Sequence, residues 1–353
     1  MNAVHFIVPE GINDTTRPSG GNTYDRKLID ALHKRGIAVV ETPVSGSWPV
    51  ASIESLGDLA AVLSAVTDGG VVLIDGIITS AASEVLIPHA TRLRLVILMH
   101  MPLGSQPAAD VSVQLGERIS LTAAIAVITT SSWTQGWLTE NYKLAPASVY
   151  VAEPGVEPAA IASASSHGGR LVCVAAVVPH KGHDTLVEAL ATLSERDWDC
   201  RFIGSSTLEI DFVAQLRRRL QETQLSERIQ FTGPLVGASL SSAYASADLL
   251  IAPSRMDTYG MVLTEAFARG IPVVASEVGG LPMTLGFDGE HNRPGMLVPT
   301  DDPIALARAI ATWLDRESHR QQLRGLALIR RRTLNSWTET ASVVAQVLEA
   351  VAA

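Results

Sequence analysis

The sequence predicts an α/β protein made of two doubly wound domains, each a parallel sheet covered by helices on both faces. Short apolar, β-branched runs alternate with helical patterns along the whole chain, as strands buried on both faces require. The alternation halts once, at EPGVEPAAIASASSHGG (153–169), which is rich in Pro, Ala, Ser and Gly and has no period, and then restarts. A length of 353 residues suits two domains, and an apolar content of 47% supplies a core for each.

In the first half the strand-like runs are VHFIV (4–8), IAVVE (37–41), VVLID (71–75), RLVILMH (94–100), AIAVITT (124–130) and VYVA (149–152). Helical patterns fall between them, among them TYDRKLIDALHKRG (23–36) and SSWTQGWLTENYK (131–143). In the second half the runs are RLVCVAAVV (170–178), CRFIG (200–204), RIQFTG (228–233), ADLLIAPS (247–254), IPVVAS (271–276) and the shorter GMLVP (295–299). DTLVEALATLSER (184–196) is one of the helices between them, and the last fifty or so residues read as two or three more. The expected organisation is an N-terminal domain over 1–155, a linker over 156–169, a second domain over 170–335, and a final helix over 336–353 that can cross back onto the first.

Composition narrows the function classes. A net charge of −9 disfavours nucleic acid as a partner, because phosphate contacts want a basic face. Cys173 and Cys200 are too few for a disulfide framework and adjoin strand-like runs, so they read as buried thiols. The start lacks a basic segment ahead of a long apolar run, and no apolar run approaches a membrane span; a cytoplasmic protein is expected. Arginine outnumbers lysine 23 to 4, a usage associated with GC-rich bacterial genomes.

In doubly wound sheets ligands sit at the carboxyl ends of the strands, and two such domains facing one another make a cleft. PSRMDTYGMVLTEAFARGIPVVASEVGG (253–280) follows a strand and opens a helix near Tyr259 or Gly260. A helix N-terminus offers unpaired N–H groups and partial positive charge, and Gly260 leaves room for a phosphate or sugar oxygen to approach them. Glu265, about one and a half turns on, can accept hydrogen bonds from hydroxyls such as those of a ribose. Asp257 precedes the turn, and Gly279 and Gly280 follow the next strand. Taken singly, Asp257 reads as a cap and Glu265 as a solvated residue; the combination points to a ligand.

This stretch resembles the motif of the retaining glycosyltransferases of family 4, of GT-B architecture, over most positions from Pro253 to Pro282. The likeness extends more thinly over almost the whole chain. It implies that Glu265 binds the ribose of a nucleotide sugar, that Asp257 lies beside the donor sugar, and that the backbone of Tyr259, Gly260, Met261 and Val262 meets the donor. The family's usual glutamate is Asp257 here, one methylene shorter, and Met283 stands where the family often has Glu.

Other positions follow the same pattern. Lys181 and Gly182 close the run that begins the second half, where an ammonium and a bulk-free backbone can meet a diphosphate. The plain alternative is a solvated lysine in a turn. The family's arginine five residues earlier is Ala176 here, so one phosphate cation is absent or supplied from elsewhere, with Arg255 and His180 as the candidates. Gly20 and Gly21 open the first helix, either as a turn capped by Asn22 or Thr23 or as a surface near the donor phosphates and acceptor. His100 ends a strand; such a histidine is commonly structural, and in the family's manner it hydrogen-bonds the donor sugar. Gly204 and Gly233 close two further strands and can approach the nucleobase. Arg217–Arg219 and Arg330–Arg332 read as solvated helix faces, and Asp301 or Asp302 as a cap, not a metal pair.

The expected function is retaining transfer of a hexosyl group from a nucleotide-diphosphate sugar to a small-molecule, lipid or glycan acceptor, with no metal required. His100, Lys181 and Asp257 carry the chemistry. Retention can proceed by same-face attack through an ion pair or by double displacement; the first is preferred because no carboxylate stands opposite Asp257. The alternatives are a sugar-nucleotide epimerase, a nucleotide-sugar binding module, and an NAD-dependent dehydrogenase. The last has Glu41 at the end of the second strand but EGINDTTRPSGG in place of G-x-G-x-x-G.

Overall fold

A computed structural model describes residues 3–106, 109–287 and 292–353. The chain divides into two compact units. The first holds Met1–Asn13, Gly20–Gly155 and Asn335–Ala353; the second holds Asp14–Ser19 and Val156–Leu334.

The first unit is a parallel sheet of β1 (Val4–Pro9), β2 (Val39–Val44), β3 (Val71–Asp75), β4 (Arg94–Met99), β5 (Ala126–Thr129) and β6 (Val149–Val151). Its order is β2-β1-β3-β4-β5-β6, so the winding reverses between β1 and β3. That reversal opens a crevice at the carboxyl ends of those two strands, the switch point at which such sheets take ligands. The central strands are buried on both faces, which is why VVLID and VILM read as continuous apolar runs. The final helix, Trp337–Ala352, starts on a capping box in which Ser336 and Glu339 bond each other's backbone amides. It packs on this sheet's helix Gly20–Lys34, with Trp337 edge-on to Tyr24 at 5.4 Å.

The second unit repeats the plan with β7 (Arg170–Val174), β8 (Asp199–Ile203), β9 (Ile229–Gly233), β10 (Leu249–Ala252), β11 (Val273–Ser276) and β12 (Gly295–Val298). Its order is β12-β11-β10-β7-β8-β9, and its switch point lies between β7 and β10. Two apolar clusters cover the two faces, one around Trp313, Phe202 and Leu186, the other around Phe267, Tyr244 and Ile271.

Residues 156–169 carry no helix or strand, yet they are pinned to the second unit. Asp248, fully buried, accepts from the amide and hydroxyl of Ser165 and from the amide and guanidinium of Arg170; these bonds hold its carboxyl below the usual range against burial. Trp313 Nε1 donates to the carbonyl of Gly168 at 2.7 Å.

The arginine-rich runs differ from a simple solvated surface. Arg219 forms a two-pronged pair with Glu188, Arg217 stacks over Phe231, and Arg330 and Arg331 donate to the carbonyls of Thr284 and Ala159. Their planar forks reach backbone and ring partners that a helical face pattern does not reveal. Asp302 caps the helix Pro303–Asp315 by accepting from Ala305 N.

Candidate functional site

In the second unit the switch point is built from two loops. After β7 the chain makes a single turn, Pro179–Lys181, ended by Gly182 in the left-handed region at φ +68°. After β10 it runs through Asp257 to Gly260, which caps the short helix Met261–Phe267 at φ +83°. The two loops meet: Lys181 Nζ donates to Asp257 Oδ2 at 2.8 Å, with both side chains mostly but not wholly covered. Two site residues 76 positions apart are thereby brought together. Asp257 also accepts from Tyr259 N through Oδ1, so it braces the loop and does not cap the helix.

The glycines fit a tight assembly whatever binds there. A Cβ on Gly182 would lie 2.0 Å from the carbonyl oxygen of Pro253, and one on Gly260 would lie 2.4 Å from Leu281. Gly279 and Gly280 pack as closely against the carbonyls of Asp257 and Thr258. The β10 loop is clasped on one side by the β7 loop and on the other by the turn after β11. Gly204 closes against Ala175, and Gly204 N donates to Gly233 O, so these two join at the ends of β8 and β9.

No side chain caps the helix Met261–Phe267, whose first turn contains Met261 and Val262. Glu265 follows on that helix, part-exposed. Burial raises its pKa, while a hydrogen bond from Tyr244 and the charge of Arg269 pull the other way. Tyr244 Oη donates to Glu265 Oε2 at 2.7 Å, and the Arg269 guanidinium lies 4.7 Å over the Tyr244 ring. Tyr244 is a residue the sequence reading missed; nothing local marks it, because its partner lies 21 positions away.

Arg255 is not a substitute phosphate cation. Its guanidinium is taken up by Asp184, Asp301, Thr185 and the carbonyl of Pro179, and it staples the β10 loop to the β7 loop. Glu41 is likewise held by a two-pronged pair with Arg26.

In the first unit the structure brings Gly20, Gly21 and His100 to the switch point. A Cβ on Gly21 would lie 3.3 Å from His100 Cδ2, so the imidazole rests over the start of the helix Gly20–Lys34. His100 Nε2 lies 2.8 Å from Asp25 Oδ1 and 3.9 Å from Asp75 Oδ2. Burial lowers the histidine's pKa, but the charge and hydrogen bond of Asp25, with the charge of Asp75, outweigh it and hold it up at about 9. Asp75, raised by burial and by the charge of Asp25, stands at about 7.

Among the described residues, His100, Asp25 and Asp75 are a group whose ligand atoms, within 4.8 Å of one another, have metal-binding character. The 2.8 Å contact is that of a hydrogen bond, and the burial of both carboxylates leaves little space for the waters a hard cation keeps. The loop after His100 is fixed by Glu117, fully buried, which accepts from Leu103 N, Gly104 N, Ser80 Oγ and Tyr142 Oη.

Two parallel doubly wound sheets, each with polar residues gathered at its switch point, define the GT-B class of fold. Comparison with solved structures agrees. The chain is similar to sucrose-phosphate synthase from Thermosynechococcus elongatus, with a TM-score of 0.83 at 21% identity over 99% of both chains. It is also similar to Anabaena HepE in complex with UDP-glucose, with a TM-score of 0.76 at 19% identity over 99% of both.

The family description "Glycosyl transferases group 1" matches residues 164–327, nearly all of the second unit. Among curated proteins, a D-inositol 3-phosphate glycosyltransferase of Kineococcus radiotolerans is 31% identical over 69% of this chain and 60% of its own length. One of Corynebacterium diphtheriae is 34% identical over 47% of this chain and 39% of its own. The chain thus spans 39% to 60% of the length of these relatives. Among the described residues no helix is long and apolar enough to cross a membrane.

Proposed function

We propose that this chain transfers a hexosyl group, with retention, from a nucleotide-diphosphate sugar to a hydroxyl-bearing acceptor. The second unit would hold the donor and the first the acceptor. The observation that carries the reading is the meeting of Lys181 and Asp257 at the second switch point, with uncapped helix amides beside them and Glu265 one turn further on. In this reading Glu265 accepts from ribose hydroxyls. Lys181 and the amides from Tyr259 to Val262 receive the diphosphate, and Asp257 turns from the ammonium toward a sugar hydroxyl. His100 hydrogen-bonds the donor sugar. As the glycosidic bond breaks, negative charge grows on the leaving diphosphate, and preorganised donors stabilise it without a metal. Closure around the donor excludes water, the competing acceptor. Nucleotide sugars belong to the cytoplasm, and the reading puts the chain there.

Same-face attack through an ion pair is the preferred route to retention; trapping a glycosyl-enzyme would overturn that choice. The donor is tested by thermal shift and calorimetry with UDP-glucose, UDP-N-acetylglucosamine, GDP-mannose and NAD. Transfer is then tested with the winning donor and a panel of acceptors that includes D-inositol 3-phosphate, the compound in the relatives' name. One nucleotide sugar should bind, and its transfer should survive EDTA. Binding of NAD alone would remove the reading, and loss of turnover in EDTA restored by a divalent cation would remove its metal-free form.

A further inference from the structure

We propose that Asp25 and Asp75 are positioning residues that fix the His100 ring at the first switch point, committing Nε2–H to Asp25 and keeping Nδ1 a hydrogen-bond donor. The inference rests on the reading of His100 as a contact to the donor sugar. Three elements converge on the ring. Asp25 comes from the helix after β1, Asp75 ends β3, and His100 follows β4, so the group spans the point where the sheet's winding reverses. Asp25 is fully buried and Asp75 nearly so, whereas the His100 side chain keeps 17% exposure. The carboxylates are thus sealed behind the ring, and the ring is the member of the group that a ligand can reach.

The ring's orientation is held from several sides. Gly21 leaves room beneath it, Tyr24 meets it edge-on at 5.2 Å, and Thr130 Oγ1 donates to the His100 carbonyl at 3.3 Å. Among the described residues, the charged groups facing it include Asp25 and Asp75. A neutral imidazole that donates to Asp25 through Nε2 can only accept at Nδ1; an imidazolium donates at both nitrogens. Asp25 supplies the opposite charge that favours the second form. Its other oxygen, Oδ2, is buried and, among the described residues, accepts from no fixed donor, and a fully ionised pair of carboxylates there would be costly. Asp75 relieves that cost by retaining a proton up to about pH 7, while its Oδ1 accepts from Ile77 N at 2.8 Å. Two acids, one imidazolium and one retained proton make a group with no net charge, which suits its burial.

The test uses the full chain with ¹⁵N-labelled histidine and long-range ¹H–¹⁵N correlation at pH 7, with His100→Gln to assign the signal. Both ring nitrogens of His100 should be protonated, and Asp25→Asn should return the ring to a neutral tautomer. Asp25→Asn should also lower kcat about tenfold to a hundredfold while the KM for donor stays within about twofold, as expected for lost preorganisation and not lost binding. A neutral His100 in the wild-type chain, an unaltered ring in Asp25→Asn, or a stoichiometric metal in the purified protein would overturn the proposal. The wild-type spectrum decides even when a variant fails to fold. Because the spectrum needs no turnover, a charged ring in a chain that transfers no sugar counts against the proposed function and leaves this assignment standing.

Discussion

Tyr244→Phe isolates one hydrogen bond at the donor side of the proposed site. Tyr244 is 1% exposed and its hydroxyl donates to Glu265 at 2.7 Å. Phenylalanine keeps the ring, its packing against the core, and the Arg269 guanidinium stacked over it. What disappears is a hydrogen bond to a charged acceptor, about 1.5–3 kcal/mol. Glu265 already has its pKa raised by burial, and the tyrosine bond is the first of the contributions that oppose that rise. Its loss lifts the pKa further and releases the carboxylate to turn away from the position in which it would receive a ribose. Chemical denaturation should report a loss of about 1.5–3 kcal/mol. Calorimetric titration with the preferred nucleotide sugar should report an affinity about tenfold weaker at neutral pH, since about 1.4 kcal/mol is one decade. The deficit should widen as pH falls, because the variant's Glu265 protonates at a higher pH than the wild type's. Wild-type affinity across pH in Tyr244→Phe, alongside lost binding in Glu265→Ala, would refute the idea that Tyr244 orients Glu265.

Lys181→Ala should lower kcat about a hundredfold to a thousandfold by removing charge from the leaving diphosphate, whereas Glu265→Ala should act chiefly on donor affinity; steady-state kinetics separates the two, and wild-type values in both would sink the site assignment. Gly260→Ala should destabilise the chain by roughly 1–3 kcal/mol, because alanine must take up a left-handed φ of +83° with its methyl against Leu281. A denaturation midpoint unchanged from wild type would contradict that packing. The acid–histidine group sets a pH dependence. Asp75, raised from 3.8 to about 7, stabilises the folded chain fully below its unfolded value, and the contribution is lost as pH rises through about 7. His100, raised from 6.5 to about 9, contributes fully below 6.5 and loses its contribution as pH rises through about 9. Thermal melts should therefore fall toward alkaline pH, and Asp75→Asn should flatten the lower part of that fall; equal slopes in both proteins would contradict the assignment.

The strands and the second-unit loops were legible because their causes are local. Continuous β-branched runs announce strands buried on both faces, and all twelve expected runs form strands, although the run at 37–41 begins later and extends to Val44. Turn glycines announce loops, so the turns at Gly182 and Gly260 are legible in short stretches, whereas the roles given to Lys181 and Asp257 rest on the family resemblance. What the sequence hid depends on distant partners. Arg255 reads as a spare cation until Asp184 and Asp301 are seen to hold it, and Glu41 reads as a ribose acid until Arg26 is seen beside it. Tyr244 reads as core until its hydroxyl meets Glu265.

Asp25 and Asp75 are a different case, because each leaves a local trace. Asp25 falls among Tyr24, Leu28, Ile29 and Leu32 on the buried stripe of its helix, and Asp75 ends an unbroken apolar run. An acid in an apolar stripe, or at the end of a fully buried strand, is expensive unless something answers its charge. The second half of the chain contains a comparable acid, Asp248, where arginine, hydroxyl and amide donors answer it and its pKa falls. At the first switch point, among the described residues, an imidazole answers in place of an arginine, and the Asp75 pKa rises instead. The same element of sequence, a buried aspartate, therefore serves to fasten a linker in one unit and to hold a proton beside a reachable histidine in the other. The difference lies in the partner that the fold delivers to it.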